Sequence, residues 1–298
     1  MWFIIQKIEK FRKLCKYSQY IGMGVILIAG MALMYFFGMR NENGTNNTLS
    51  ILLGTIMLLF LFMMVVGVPM QNKLLKMIIE ESLNGLVDEL TFNKKKGYSK
   101  ESFAKLHLAP ENFSNYVCQD YYSFKYKDML VESTTIKAFD EYKVPKAKGK
   151  GKKTKMVKES KIYFFGRVYV IPFENLGKFN VYGKKHPSLS FKKEMINRTY
   201  CNELPIKIKK YFENFEVYYK DVKPENIQSV LEKLYYLKLQ AKGPVSMFVR
   251  NSHIVLCINN SRYYQEVETK NPIDESLVKD YRKDVSMVLS FINSLVKE

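Results

Sequence analysis

The sequence has few of the residues that build metal and redox centres. Its four cysteines and three histidines are scattered over 298 residues, with no C-x-x-C pair and no H-E-x-x-H motif. Scattered thiols predict neither a zinc site nor a disulfide framework, and free cysteines usually pack as small apolar side chains. We therefore predict no metal ion and no cofactor.

Catalytic motifs are also lacking. No G-x-S-x-G elbow or Cys-His pair can be read, and "GKGKKT" has Lys153 where a phosphate loop requires Ser or Thr. Acidic pairs such as Asp140 and Glu141 are adjacent in sequence, so they do not converge on one substrate atom. We predict no catalytic residues and no enzymatic activity. An enzyme whose groups converge only in the folded chain is the alternative.

Arginine is scarce, since the chain has seven arginines against forty lysines. A surface that reads nucleic acid favours arginine, whose planar fork pairs with phosphates and guanine edges. The net charge of +18 therefore does not by itself indicate a nucleic-acid partner.

Charged side chains are absent from two long stretches, 17–39 and 43–72. Their apolar centres, 21–39 and 51–70, each match the roughly 20 residues that cross the hydrocarbon core as a helix. The connector between them, "RNENGTNNTLS", is rich in turn-forming Asn and contains Gly. The pattern predicts a transmembrane helical hairpin over 21–70.

Basic residues flank this predicted hairpin asymmetrically. Five precede the first span, one lies in the connector, and Lys73 and Lys76 follow the second span. The positive-inside bias predicts a multi-pass protein of the inner (cytoplasmic) membrane with both termini in the cytoplasm. Neither span has an ionisable group at mid-depth, which argues against transport.

Residues 1–20 form a basic segment with an apolar side. Trp2, Ile8 and Phe11 recur at helical spacing, with lysine and arginine on the opposite side. This pattern predicts a basic amphipathic cytosolic helix in the headgroup layer, and a frayed tail is the alternative.

Residues 71–298 are predicted to form a cytosolic α+β domain. Apolar residues from Leu74 to Leu90 recur at helical spacing, and from residue 115 the period changes to two, with a hairpin turn near Lys127 and Asp128. The strongest strand covers 161–173, and helices are predicted after Pro224 and from residue 274 to the end. Adjacent strands with separate helices predict a mostly antiparallel sheet with packed helices.

A lysine-rich segment, 143–161, lies between two predicted strands and carries nine lysines and one acid. Its composition predicts a disordered insertion. Acidic lipids attract each nearby lysine by about 1 kcal/mol, so we predict contact with anionic lipid headgroups or with an acidic partner. A solvated loop is an alternative, and so is nucleic-acid binding, although no aromatic residue is interleaved for base stacking. The predicted contact residues are Lys146, Lys148, Lys150, Lys152, Lys153 and Lys155.

Later segments, including "FFGRVYVIPF" and "YFENFEVYYKD", resemble an uncharacterised bacterial membrane-protein family known as domain of unknown function 3137 (DUF3137). In that family a Phe-x-Gly opens a strand, and a Phe-rich segment ends in Val-Tyr and an Asp before a helix. The resemblance implies two membrane spans before the domain, no known activity, and a membrane-associated assembly with a LemA-like membrane protein as partner. The matching residues, which we expect to be structural, are Phe164, Gly166, Phe212, Phe215, Val217, Tyr218 and Asp221.

These features together predict a membrane-anchored cytosolic binding or scaffold module. A membrane-bound enzyme and a membrane-tethered nucleic-acid binder are the alternative functions.

Overall fold

The computed structural model describes most of the chain as an α+β protein. The described residues are 2–38, 45–93, 97–146, 155–174, 177–184, 202–204, 209–220, 224, 226–250, 252–261, 273 and 275–296. They divide into two compact units. One unit contains the described residues of Met1–Asn84 and Gln265–Arg282, and the other those of Gly85–Tyr264 and Lys283–Glu298.

The helices of the first unit come from the apolar N-terminal part of the chain. They are α1 (Trp2–Gly38), α2 (Thr45–Phe62), a π-helical turn (Met63–Gly67) and α3 (Val68–Leu83). Helix α1 is continuous through the predicted boundary between residues 20 and 21, because no proline or turn sequence interrupts it.

Helix α1 contacts both α2 and α3. Ile8 and Cys15, on the apolar side of the segment 1–20, are buried in the protein, as are Leu74 and Ile78 of α3. The backbone N–H of Ile273 donates to the Glu9 carboxylate, 3.2 Å away. The first turns of the chain are therefore packed against protein groups of the same unit.

The second unit is built on one antiparallel sheet of nine strands in the order β1-β2-β3-β4-β9-β8-β5-β7-β6. The strands are β1 (Asp88–Phe92), β2 (Asn115–Tyr126), β3 (Met129–Lys146), β4 (Lys155–Pro172), β5 (Phe179–Gly183), β6 (Asn202–Glu203), β7 (Phe215–Tyr219), β8 (Val245–Val249) and β9 (His253–Ile258). The helices that follow α3 are α4 (Lys100–Ala104), α5 (Lys209–Phe212), α6 (Ile227–Ala241) and α7 (Glu275–Val296). Helix α7 begins among the residues of the first unit and ends among those of the second. The predicted antiparallel α+β class is confirmed.

The predicted hairpin turn between β2 and β3 is confirmed. The β2–β3 hairpin turns at Lys127 and Asp128, both with positive φ, as a tight two-residue turn requires. In contrast, the helix predicted through Leu90 is wrong in its last seven residues, because α3 ends at Leu83 and Leu90 lies in β1. Gly85, at φ 72°, allows the chain to leave the helix there.

The main core of the sheet unit covers one face of the central strands. It joins Ile136 of β3, Phe164 of β4 and Phe248 of β8 to Phe103 and Phe113 of the segment before β2. Helix α6 buries Val230, Leu231, Leu234 and Leu237 on one side and contacts β8. Near the end of α7, Asn293 donates to the Tyr126 hydroxyl of β2 over 2.6 Å.

Candidate functional site

Strands β3 and β4 extend beyond both of their neighbours in the sheet. The pairing of β2 with β3 ends at Phe139, and the pairing of β9 with β4 begins at Arg167. Residues 140–146 and 155–161 therefore pair only with each other among the described strands. We call these two stretches the basic arm. Seven cross-strand pairs give it a length of about 20 Å.

The basic arm corrects the prediction of a disordered insertion at the two ends of the segment 143–161, because residues 143–146 and 155–161 form strands. Lys143 lies opposite Lys158, Val144 opposite Val157, and Lys146 opposite Lys155, so the ladder covers most of that segment. Val144 and Val157 form a β-branched cross-strand pair, which favours strand structure. The prediction of disorder rested on the many lysines and did not consider this pair. Four predicted contact residues, Lys148, Lys150, Lys152 and Lys153, lie outside the described residues.

Most lysines of the arm are paired across the two strands with another lysine and not with an acid. Lys143 and Lys158 are both exposed and opposite one another, and a like-charge cross-strand pair is unfavourable. Lys158 Nζ lies 3.8 Å from a Glu141 carboxylate oxygen, but both side chains are largely exposed, so this ion pair stabilises little. The arm therefore carries more lysines than acids along its paired strands.

A hydrogen-bonded carboxylate fixes the base of the arm. Asp140 accepts the backbone N–H of Ser114 at 2.6 Å and the hydroxyl of Tyr163 at 2.6 Å. Burial raises the pKa of Asp140, but these hydrogen bonds outweigh it and hold the pKa below its ordinary value. Burial and the neighbouring Asp140 raise the pKa of Tyr163 to about 12.

The arm also carries exposed apolar side chains. Met156 is 56% exposed, Tyr142 is 46% exposed and Ile162, at the base, is 37% exposed. Side chains alternate between the two faces of a strand pair, so Met156 and Ile162 lie on one face and Tyr142 lies on the other.

The residues that match the family pattern are buried in the sheet. Phe164, Phe215, Val217 and Tyr218 have almost no exposed surface, which is the packing that a structural role requires. A Cβ on Gly166 would lie 1.9 Å from the Ile258 carbonyl oxygen, so only glycine fits where β4 meets β9. Phe212 has its backbone in α5, and Asp221 lies outside the described residues.

The sequence did not single out Arg167, which is fully buried on β4. Its Nη1 donates to the Ser133 hydroxyl at 3.2 Å, and its guanidinium carbon lies 5.0 Å from the ring centre of Tyr122. Burial raises the pKa of nearby Asp120, and Arg167 opposes that rise. One signal was present in the sequence, because Arg167 is the only charged residue in the stretch 162–173.

A second polar network joins strands β5, β7 and β8. Arg250 donates to the Asn180 side-chain oxygen at 2.8 Å, and the Asn180 amide is 3.5 Å from the Tyr182 hydroxyl. The rings of Tyr182 and Tyr218 are 5.9 Å apart, and the Tyr218 hydroxyl donates to Glu216 at 3.1 Å. The hydrogen bond from Arg250 to Asn180 and the contact between the two tyrosine rings join neighbouring strands, which indicates a structural network.

Metal-ligating groups do not converge in the part of the chain that the structure describes, where no three or more His, Cys, Asp or Glu side chains could hold one ion. Cys15 and Cys257 are buried there, and Cys118 is partly buried with its sulfur 3.1 Å from the Thr134 hydroxyl.

Comparisons with protein families, with curated proteins and with solved structures return no match. The class of the protein therefore follows from its own structure: an α+β protein with a nine-stranded antiparallel sheet and an apolar N-terminal helix. The resemblance to DUF3137 stays a prediction.

Proposed function

We propose that this protein is an integral membrane protein of the cytoplasmic membrane whose sheet unit is a binding or scaffold module in the cytosol. In this proposal α1 and α2 form a transmembrane hairpin, both termini are cytoplasmic, and the basic arm contacts an anionic surface. An assembly with another membrane protein, such as the LemA-like partner implied by the family resemblance, fits the same topology.

The observation that carries the proposal is the exposed apolar surface of the first two helices. Two helical stretches, Ile5–Tyr35 and Ile51–Leu83, are long and apolar enough to cross a membrane, yet only 11% and 12% of their most apolar parts are buried in the protein. A core helix of a soluble protein would be mostly buried, and monomeric soluble proteins rarely expose apolar patches of this size. The exposed residues include Ile21, Val25, Ile28, Met31, Leu53, Ile56, Met57 and Phe60.

Aromatic residues and helix contacts support the hairpin. Tyr17 and Tyr35 are exposed near the two ends of the uncharged stretch, about 27 Å apart at the helical rise, close to the thickness of the hydrocarbon core. Exposed tyrosines at both membrane interfaces are typical of transmembrane helices. Gly30 of α1 lies against Thr55 of α2, as expected for a small residue at a helix interface.

Charge supports the role of the arm. The segment 143–158 contains eight lysines and no acid, and the paired strands hold several of these lysines together. If the sheet unit is cytosolic, the acidic inner leaflet is the nearest large anionic surface, and each lysine close to it contributes about 1 kcal/mol.

Lysine acetylation of the full-length protein tests this function. The protein would be placed in nanodiscs of phosphatidylcholine alone or mixed with phosphatidylglycerol, and labelled with a water-soluble acetylating reagent. We expect Lys143 and Lys158 to react several-fold more slowly on the anionic discs, and this protection to disappear at high salt. Lys125 and Lys279, already paired with Glu89 and Glu275, serve as internal references. Equal rates on both discs would contradict contact with anionic lipid.

A further inference from the structure

We propose that the basic arm lies flat along an anionic bilayer, with the face that carries Met156 and Ile162 turned toward the lipid. This inference rests on the proposed function and deepens it, because it names the partner of the arm as a lipid surface and assigns the contacting face.

The strand pairing defines the two faces. On β4, Ile162, Ser160, Lys158 and Met156 alternate onto one face, opposite Phe139, Glu141, Lys143 and Pro145 of β3. We call this the Met156 face. It carries the two large exposed apolar side chains Met156 and Ile162, about 20 Å apart along the strand.

The lysines on the Met156 face lie between its apolar ends. Lys143 and Lys158 have long aliphatic stems, so their charged groups can reach the phosphate layer while Met156 enters the acyl boundary. Alternating basic and apolar groups in one plane are what an element lying in the headgroup layer requires. The only acid on this face, Glu141, is already close to Lys158.

The opposite face fits lipid less well. It carries Asp140 and Glu159, two acids that anionic headgroups repel, together with Tyr142 and the three lysines Lys146, Lys155 and Lys161. Asp140 is also engaged with Ser114 and Tyr163 at the base of the arm. The Met156 face is therefore the one that combines apolar exposure with the smaller number of acids.

A bilayer fits this face better than a soluble acidic protein does. To bury two apolar side chains this far apart, a soluble protein would need two matched pockets. A bilayer offers a continuous apolar layer beneath its phosphate groups, so it needs no matched pockets. Anchoring by the chain's own helices would add a high effective concentration of lipid, so a weak contact suffices.

Tryptophan quenching tests the assigned face in the full-length protein. The single tryptophan is first removed by Trp2→Phe, and Met156→Trp is then compared with Tyr142→Trp as the matched variant on the opposite face. In anionic nanodiscs that contain brominated acyl chains, we expect Met156→Trp to lose about half of its fluorescence, as for a ring at the acyl boundary. Tyr142→Trp should lose little. Equal quenching of the two variants would overturn the assigned face.

Methionine oxidation supplies a second readout without substitution. On anionic discs, peroxide should oxidise Met156 several-fold more slowly than on neutral discs. If the arm lysines are protected from acetylation but Met156 oxidises equally on both discs, the flat orientation is wrong while the proposed lipid contact stands. If neither group is protected by anionic lipid but a soluble acidic protein protects the lysines, both the inference and the lipid part of the proposed function are wrong.

Discussion

Gly166 shows how one residue sets the distance between two central strands. It lies on β4 where that strand runs beside the end of β9, and a side chain there would meet the backbone of Ile258 and Asn259. No rotamer change can relieve such a clash, because the blocking atoms belong to the main chain. The Phe-x-Gly pattern therefore has a packing explanation in this fold.

Substituting this glycine tests that explanation. We expect Gly166→Ala to destabilise the sheet unit by about 3 kcal/mol, the range of severe overpacking in a core. Denaturant unfolding followed by far-ultraviolet circular dichroism measures the change. Gly54→Ala is the control, since a Cβ there meets nothing within 4 Å. Similar stability of the two variants would contradict the steric account.

Asp120 is a half-buried acid at an irregular point of β2. It has a φ of 55° beside the break in register between Gln119 and Tyr122. Burial raises its pKa above the ordinary value, although Arg167 opposes the rise. An acid whose pKa is higher in the folded than in the unfolded state takes up protons on folding. The free energy of unfolding therefore falls as the pH rises from the unfolded pKa to the folded pKa.

Replacing this acid should therefore stabilise the protein in a pH-dependent way. We expect Asp120→Asn to unfold at higher denaturant concentration than the parent near pH 7, because the amide cannot ionise and asparagine tolerates a positive φ. Below the unfolded pKa of about 3.9 the gain should vanish, because Asp120 is then protonated in both states. Denaturant midpoints across this pH range provide the measurement. A gain that is constant with pH would show that the charge of Asp120 is not its source.

At the scale of elements, the periodic segments were the predictable ones. The strand predicted at 161–173, the turn at Lys127 and Asp128, and the helices α6 and α7 all follow patterns that local sequence determines. The arm was not predictable in the same way. Lysine has low strand propensity, and residues 143–146 become strand because their partners 155–158 lie in register across the hairpin.

The hydrogen-bond partners of the polar groups in the sheet could not be predicted from local sequence either. Arg167 could be seen as an odd charge in an apolar run, but its partners Ser133 and Tyr122 come from two other strands. Likewise, Asn180 and Arg250 are seventy residues apart and meet only because β5 pairs with β8. Periodicity gives the face on which a residue lies, whereas the partner depends on strand order.

The contact between α1 and α2 depends on a small residue. A Cβ on Gly30 would lie 2.5 Å from the Thr55 hydroxyl oxygen, so the two helices approach closely at this point. Close approach through glycine is a common source of helix association in membranes.

A bulky residue at this position should separate the helices. We expect Gly30→Leu to lower the thermal unfolding midpoint of the detergent-solubilised protein, with a loss of about 1–2 kcal/mol. Gly24→Leu on the same helix is the matched control, because open space surrounds that position. If both variants melt like the parent, the close approach of α1 and α2 contributes nothing to stability.

At the scale of the whole molecule, two kinds of surface occur in one chain. The first unit exposes apolar side chains along α1 and α2, and the sheet unit carries the basic arm. In the proposed function a bilayer would account for both surfaces, because its hydrocarbon core would cover apolar helices and its acidic headgroups would attract lysine. Sequence alone indicated the uncharged stretches and the lysines, while the structure added the ladder that organises the lysines into an arm.

The location of the sheet unit tests the central claim most directly. Protease would be added to sealed cells and to inverted membrane vesicles, and the fragment carrying an epitope tag after Glu298 would be followed by immunoblot. The proposed topology predicts a protected fragment in sealed cells and complete digestion in inverted vesicles. Digestion in sealed cells, with protection in inverted vesicles, would place the sheet unit outside the cytoplasm and contradict the account.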